Sequence, residues 1–190
     1  MKRVLIILAP GFEEIEGITV IDILRRAGAE VIVAGTIEGP IEASRKTRHL
    51  ADVRIEAIDG VNFDMLVLPG GQPGADHLRN HPKVAELIHN LSQSGKWMAA
   101  ICAAPSVLAA YGILDGKQFV CHPTSVDSLR GLEQPAGKAV YNSTERVIVD
   151  GQVVTSISAG SAMEFAFKLV EVLFGREKVT EVNVGVIAKL

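Results

Sequence analysis

Uninterrupted apolar runs alternate with amphipathic stretches along most of this chain. Residues 4–8 (Val-Leu-Ile-Ile-Leu) contain no polar position, and residues 31–34 and 64–68 read the same way once Asp64 is passed. Such runs suit strands covered on both faces, as in a parallel sheet. Breaks follow two of them, Pro10-Gly11 after the first and Pro69-Gly70-Gly71 after the third. Residues 13–27 are predicted helical, mixing Ile15, Ile18, Ile21 and Leu24 with Thr19 and Asp22, and Gly28 stops the helix. A second helix is predicted over 82–92, with Val84, Leu87, Ile88 and Leu91 on one face. A third covers 162–174 and ends at Gly175, while 147–155 reads as a hairpin with Asp150-Gly151 at its turn. Residues 116–123 are expected to form a strand ending at Pro123, and 178–190 a short helix and a final strand. Between 35 and 60 the pattern is weak, with short strands expected around 41–43 and 53–55. Strands alternating with helices, without linker or repeat, predict one α/β domain over 1–190 with a mostly parallel sheet.

Composition narrows the function classes. Aromatics make up only 5% of the 190 residues, so the core is aliphatic. A formal charge of -3 gives no electrostatic reason to expect nucleic acid or an anionic membrane as partner. No apolar run approaches the roughly 20 residues that span a bilayer. Met1-Lys2-Arg3 resembles the start of a signal peptide, but residues 4–9 are too short for its apolar region, so a cytoplasmic location is expected. Two cysteines, Cys102 and Cys121, are too few for a disulfide scaffold and lack zinc-ligand spacing. Neither a P-loop nor a dinucleotide-binding glycine pattern follows any strand.

Candidate chemistry centres on Cys102. Ala99, Ala100 and Ile101 form an uncharged buried strand, and Pro105 suits the first turn of a helix, so Cys102 falls on the bend between them. Small neighbours permit a sharp strand-to-helix turn, which presents a side chain at the carboxyl edge of the sheet. Free N–H groups there favour the thiolate, and a thiol pKa below the ordinary value of about 8.5 is expected for Cys102. An inert buried cysteine is the other reading, and Cys121, inside an apolar strand, is expected to be inert. Pro10-Gly11 with Glu13, Glu14 and Glu16, Gly70-Gly71, and His122 also fall at predicted carboxyl ends, where open α/β sheets place their sites. Gly70-Gly71 reads as a tight turn or as a source of N–H donors. Arg45, Lys46, Arg48 and His49 form a small basic cluster, which reads as a solvated loop more often than as an anion site. A thiol, a carboxylate, N–H donors and an imidazole together suit attack on a carbonyl.

Leu68-Pro69-Gly70-Gly71, residues 99–105 (Ala-Ala-Ile-Cys-Ala-Ala-Pro), Cys121-His122-Pro123 and Gly11-Phe12-Glu13-Glu14-Ile15-Glu16 resemble the ThiJ/PfpI superfamily. The similarity is to the branch of the Parkinson-associated protein deglycase and its bacterial relatives, and it covers nearly the whole chain. It implies a flavodoxin-like three-layer α/β/α sandwich of the class I glutamine amidotransferase type, a homodimer and a reactive Cys102. By position it makes Glu16 the carboxylate at the Cys102 sulfur and His122 the histidine close to it. Gly70, Gly71 and Ala103 become the oxyanion or substrate-binding positions, and Glu13 and Glu14 ordinary first-turn residues. Ala103 stands where the peptidase-like branch has histidine, which argues against protease activity. Two departures are Cys121, in place of threonine or glycine, and Ile157-Ser158-Ala159-Gly160 in place of Arg-Gly-Pro-Gly.

The resemblance implies a cofactor-independent enzyme acting on small reactive aldehydes such as methylglyoxal, or on glycated amines. A redox sensor or chaperone whose Cys102 is oxidised to the sulfinate is the alternative, and a metabolic enzyme of unassigned substrate a third.

Overall fold

A computed structural model describes residues 1–59, 62–130 and 139–190, apart from the side chains of Ser128 and Arg130. The chain opens with β1 (Arg3–Leu8), α1 (Glu14–Arg26) and β2 (Glu30–Gly35). A ribbon of β3 (Ile41–Glu42) and β4 (Arg48–His49) follows, then the short β5 (Val53–Arg54). The centre holds β6 (Met65–Leu68), α2 (Gly74–Arg79), α3 (Pro82–Gln93), β7 (Trp97–Ile101) and α4 (Pro105–Ala110). Last come β8 (Gln118–Phe119), α5 (Val126–Arg130), β9 (Val140–Tyr141), β10 (Val147–Asp150), β11 (Val153–Ser156), α6 (Ala162–Phe174) and α7 (Arg176–Val186).

A seven-stranded sheet in the order β10-β11-β7-β6-β1-β2-β5 forms the middle layer. All its pairings are parallel except the β10–β11 hairpin at one edge. Side-chain alternation divides the core. Val4, Ile6 and Leu8 pack with residues of α1 and α6, whereas Leu5 and Ile7 pack with Leu87, Ile88 and Leu108 of α3 and α4. The period of two along a strand therefore builds a core on each side, which explains the absence of polar positions in the run. The α/β class and the three-layer arrangement agree with expectation.

From β1 the sheet grows outward in both directions, through β2 on one side and β6 on the other. Strand order reverses there, and the loops after β1 and β6 leave toward opposite faces. That switch point is where open α/β sheets form a crevice.

Several expected elements differ. The strand expected over 116–123 contracts to β8, which pairs with β9 outside the main sheet. Beyond Phe119 the backbone donors are spent elsewhere: Val120 N–H on Thr155 Oγ1 at 3.0 Å, and His122 N–H on the Cys102 carbonyl at 2.8 Å. No strand forms near the carboxyl terminus among the described residues; α7 extends to Val186 instead. Val179, Val182 and Val186 recur at helical spacing and pack on the core with α1 and α6, which selects helix. Helix α2 was not foreseen. The expected strands at 41–43 and 53–55 are the two-residue β3 and β5. No helix among the described residues is long and apolar enough to cross a membrane.

Candidate active site

Cys102 sits one residue beyond β7 with φ of 65°, in the left-handed region that side chains other than glycine's rarely occupy. Two hydrogen bonds hold the bend: Cys102 N–H donates to the Ser156 carbonyl at 2.9 Å, and the Cys102 carbonyl accepts His122 N–H at 2.8 Å. Gly70, at the end of β6, presses against it. A Cβ at Gly70 would lie 2.7 Å from the Ile101 carbonyl oxygen and 2.8 Å from Ala103 N, so only glycine fits.

Glu16, in the first turn of α1, is fully buried. Its Oε2 accepts the Gly70 N–H at 2.8 Å, and its own N–H donates to Glu13 Oε2 at 2.9 Å, which caps the helix. Oε1 is buried and has no hydrogen-bond partner among the described residues, and the carboxyl as a whole interacts with the Cys102 thiol. Burial pushes the Glu16 carboxyl up to about 7, aided by the charge of Glu13 and opposed by hydrogen bonds from Cys102 and Gly70.

The expected depression of the Cys102 pKa is not what the surroundings produce. Burial, the Glu16 charge and the thiol–carboxylate hydrogen bond push it up to about 12, outweighing the Gly71 and Ala103 N–H groups at the sulfur. The helix beyond is only six residues long and offers a weak dipole. Since the Glu16 charge is itself a cause, the thiol and carboxyl titrate as a coupled pair. Removal of one proton leaves a monoanion with two forms, carboxylate beside thiol or carboxylic acid beside thiolate.

His122 borders the same cavity as Cys102. Its Nδ1 accepts the Thr124 N–H at 3.3 Å and lies 2.8 Å from Thr124 Oγ1, which places the proton of the neutral ring on Nε2. The cavity measures about 260 Å³ and also exposes Gly71 and Ala103. Gly70 departs from its expected role: its N–H is engaged by Glu16, leaving Gly71 and Ala103 as the donors at the sulfur. Glu13 and Glu14 are more than first-turn residues. Glu13 lines the cavity, while Glu14 accepts from Ser44 Oγ, Arg45 N–H and Thr47 Oγ1 at 2.8–3.0 Å.

Arg45, expected in a solvated basic loop, also lines the cavity, as do Ser44, Gln72 and Thr124, which no sequence motif includes. Gln72 could have been found as the residue following Gly70-Gly71; Ser44 and Arg45 arrive from a ribbon distant along the chain. Ile157, Ser158 and Ala159 do not line it. Cys121 is fully buried, its thiol pushed up to about 12 by burial alone. A larger cavity of about 450 Å³ beside α6 and α7 contains neither cysteine nor histidine. No metal-binding group of three or more His, Cys, Asp or Glu occurs among the described residues.

The sequence profile of the DJ-1/PfpI family matches residues 2–172. The chain belongs to this family. It is 39% identical over 187 residues to Protein dj-1beta of Drosophila melanogaster, covering 98% of this chain and 97% of that one. It is 37% identical over 178 residues to the Glutathione-independent glyoxalase DJR-1.2 of Caenorhabditis elegans, covering 93% and 91%. Among solved structures, oxidized Toxoplasma gondii DJ-1 superposes with a TM-score of 0.91 at 35% identity, covering the whole of both chains.

Proposed function

We propose that this DJ-1/PfpI member is a cofactor-independent cysteine enzyme that converts 2-oxoaldehydes such as methylglyoxal into 2-hydroxy acids. The pairing of buried Glu16 with Cys102, with Gly71 and Ala103 N–H groups at the sulfur, carries this reading. The glyoxalase name of the Caenorhabditis elegans relative points the same way.

The chemistry follows from the pair. In the thiolate form, Cys102 Sγ bonds to the aldehyde carbon while the carbonyl π electrons move to oxygen. That oxygen takes the Glu16 proton, giving a neutral hemithioacetal and a Glu16 carboxylate. Glu16 then removes the remaining hydrogen of that carbon as a proton, the electrons pass to the neighbouring carbonyl oxygen, and an enediolate forms. His122 Nε2–H stabilises the oxygen that gains charge. The hydroxyl proton of the first carbon passes to the second oxygen and Glu16 returns its proton to the neighbouring carbon, which gives a 2-hydroxy thioester on Cys102 and restores the Glu16 carboxylate. Water breaks the C–S bond, releasing the hydroxy acid and restoring the thiol. Action on an amine adduct of the aldehyde makes the same site a deglycase.

Exposed Ile15 and Ile18 on α1 support a homodimer through this helix, as each leaves a large apolar side chain in water in the single chain. A redox-sensing role is the second reading, because N–H groups at the sulfur also suit the oxygens of a sulfinate. Incubation with methylglyoxal in the absence of glutathione decides between them. Lactate accumulates with the unmodified protein and not with Cys102→Ala if the site is an enzyme. Absence of lactate from both, with peroxide oxidising Cys102, supports the sensor.

A further inference from the structure

The basic cluster at 45–49 separates into residues with different partners. Lys46 and Arg48 both pair with Glu42, at 2.9 and 3.3 Å. Among the described residues Arg45 has no carboxylate partner, and its guanidinium donates there to the Ser44 carbonyl, at 3.4 Å. Yet Arg45 lines the Cys102 cavity, and its backbone is pinned there by its N–H on Glu14 Oε1 at 2.8 Å. Ser44 and Thr47 hydroxyls reach the same carboxylate at 3.0 Å, so the loop carrying Arg45 is anchored on the first turn of α1. Glu13 is the opposing charge in the lining, with Oε2 committed to the Glu16 N–H.

We propose that Arg45 is a specificity-determining residue that draws carbonyl substrates bearing a carboxylate into the Cys102 cavity in preference to neutral ones of equal size. The substrate class rests on the reading of Cys102 as a carbonyl-attacking thiol. An exposed guanidinium with no carboxylate partner among the described residues, on a residue that lines the same cavity as Cys102, gives a carboxylate a partner with two parallel N–H donors, and a neutral substrate none.

Two alkylating reagents test the attraction without any turnover. Iodoacetate and iodoacetamide both lose iodide as the sulfur bonds to carbon, and they differ by one negative charge. Their rate ratio at Cys102, read by mass spectrometry and divided by the ratio for a free thiol, measures the local field. Arg45→Gln lowers this ratio about fivefold, the scale of one ion pair in a solvated site, and Arg45→Lys lowers it less. Added salt shrinks the difference between the unmodified protein and Arg45→Gln. An unchanged ratio in Arg45→Gln overturns the proposal. In a parallel arm, 4,5-dioxopentanoate and 2-oxopentanal, which differ by a terminal carboxylate, are compared for hydroxy-acid formation. Loss of preference for the former in Arg45→Gln supports the substrate class, and a preference indifferent to Arg45 overturns it. Turnover of neither compound overturns the substrate class, lactate formation from methylglyoxal separately tests the enzyme reading, and the alkylation ratio still decides whether Arg45 attracts anions.

Discussion

Glu16 and Gly70, 54 residues apart in sequence, are joined by a 2.8 Å hydrogen bond from the Gly70 N–H to Glu16 Oε2. This contact ties the loop after β6 to the first turn of α1, directly behind the Cys102 bend. It fixes one carboxyl oxygen and leaves the other buried without a hydrogen-bond partner among the described residues.

Gly70→Ala should damage both fold and site. The added methyl meets backbone atoms of Ile101 and Ala103 at 2.7 and 2.8 Å, which no rotamer change relieves. A loss of about 1–3 kcal/mol in chemical denaturation is expected, together with slower alkylation of Cys102.

Stability should depend on pH through Glu16. Its carboxyl is raised from 4.5 to about 7 in the folded protein, so the folded state holds a proton that the unfolded chain releases. That contribution is fully present below 4.5 and is lost as pH rises to about 7, a fall of about 3 kcal/mol. Glu16→Gln carries no such charge. It should be more stable than the unmodified protein at pH 8 and should approach it below pH 4.5, as denaturation at the two pH values will show.

Alkylation separates the two cysteines and tests the shared proton. Cys102 borders the cavity and Cys121 is fully buried, so iodoacetamide should label Cys102 selectively. If the monoanion includes the thiolate form, labelling rises with a midpoint near the first deprotonation, at about 7. Glu16→Gln removes that proton exchange, and the midpoint should move above the free-thiol value of about 8.5 because burial of the thiol remains. A midpoint for the unmodified protein near 12, with no inflection near 7, would show that the thiolate form is not used.

Assembly is checked by light scattering. The chain mass is 20.3 kDa, and about twice that is expected at micromolar concentration. Ile15→Glu with Ile18→Glu should lower the mass to that of one chain, because both side chains are exposed on α1.

Much of this architecture is legible in the chain itself. The uniform apolar character of β1 and β6 announces strands covered on both sides, and the breaks after them locate the crevice. Cys102 is legible as a bend residue because a short uncharged strand ends at Ile101 and Ala103, Ala104 and Pro105 follow it. Local pattern fails where the outcome depends on a distant partner. Nothing near Gly70 says that its N–H faces Glu16, and nothing near Arg45 says that its loop is anchored on Glu14, far back along the chain, beside the Cys102 cavity. The Cys102 pKa was misjudged for the same reason, since burial and the Glu16 charge are properties of the assembled core. The strand over 116–123 was overextended because its donors are taken by Thr155 and by Cys102.

The role of Glu16 as the base working with Cys102 is tested most directly by lactate formation from methylglyoxal in Glu16→Gln, with peroxide oxidation of Cys102 followed in the same preparation. The amide keeps a donor toward the sulfur and loses the base, so turnover should fall by about 10²-fold or more while oxidation persists at a reduced rate. Lactate formation within a factor of about two of the unmodified protein, well short of the effect of a lost catalytic base, would contradict the assignment.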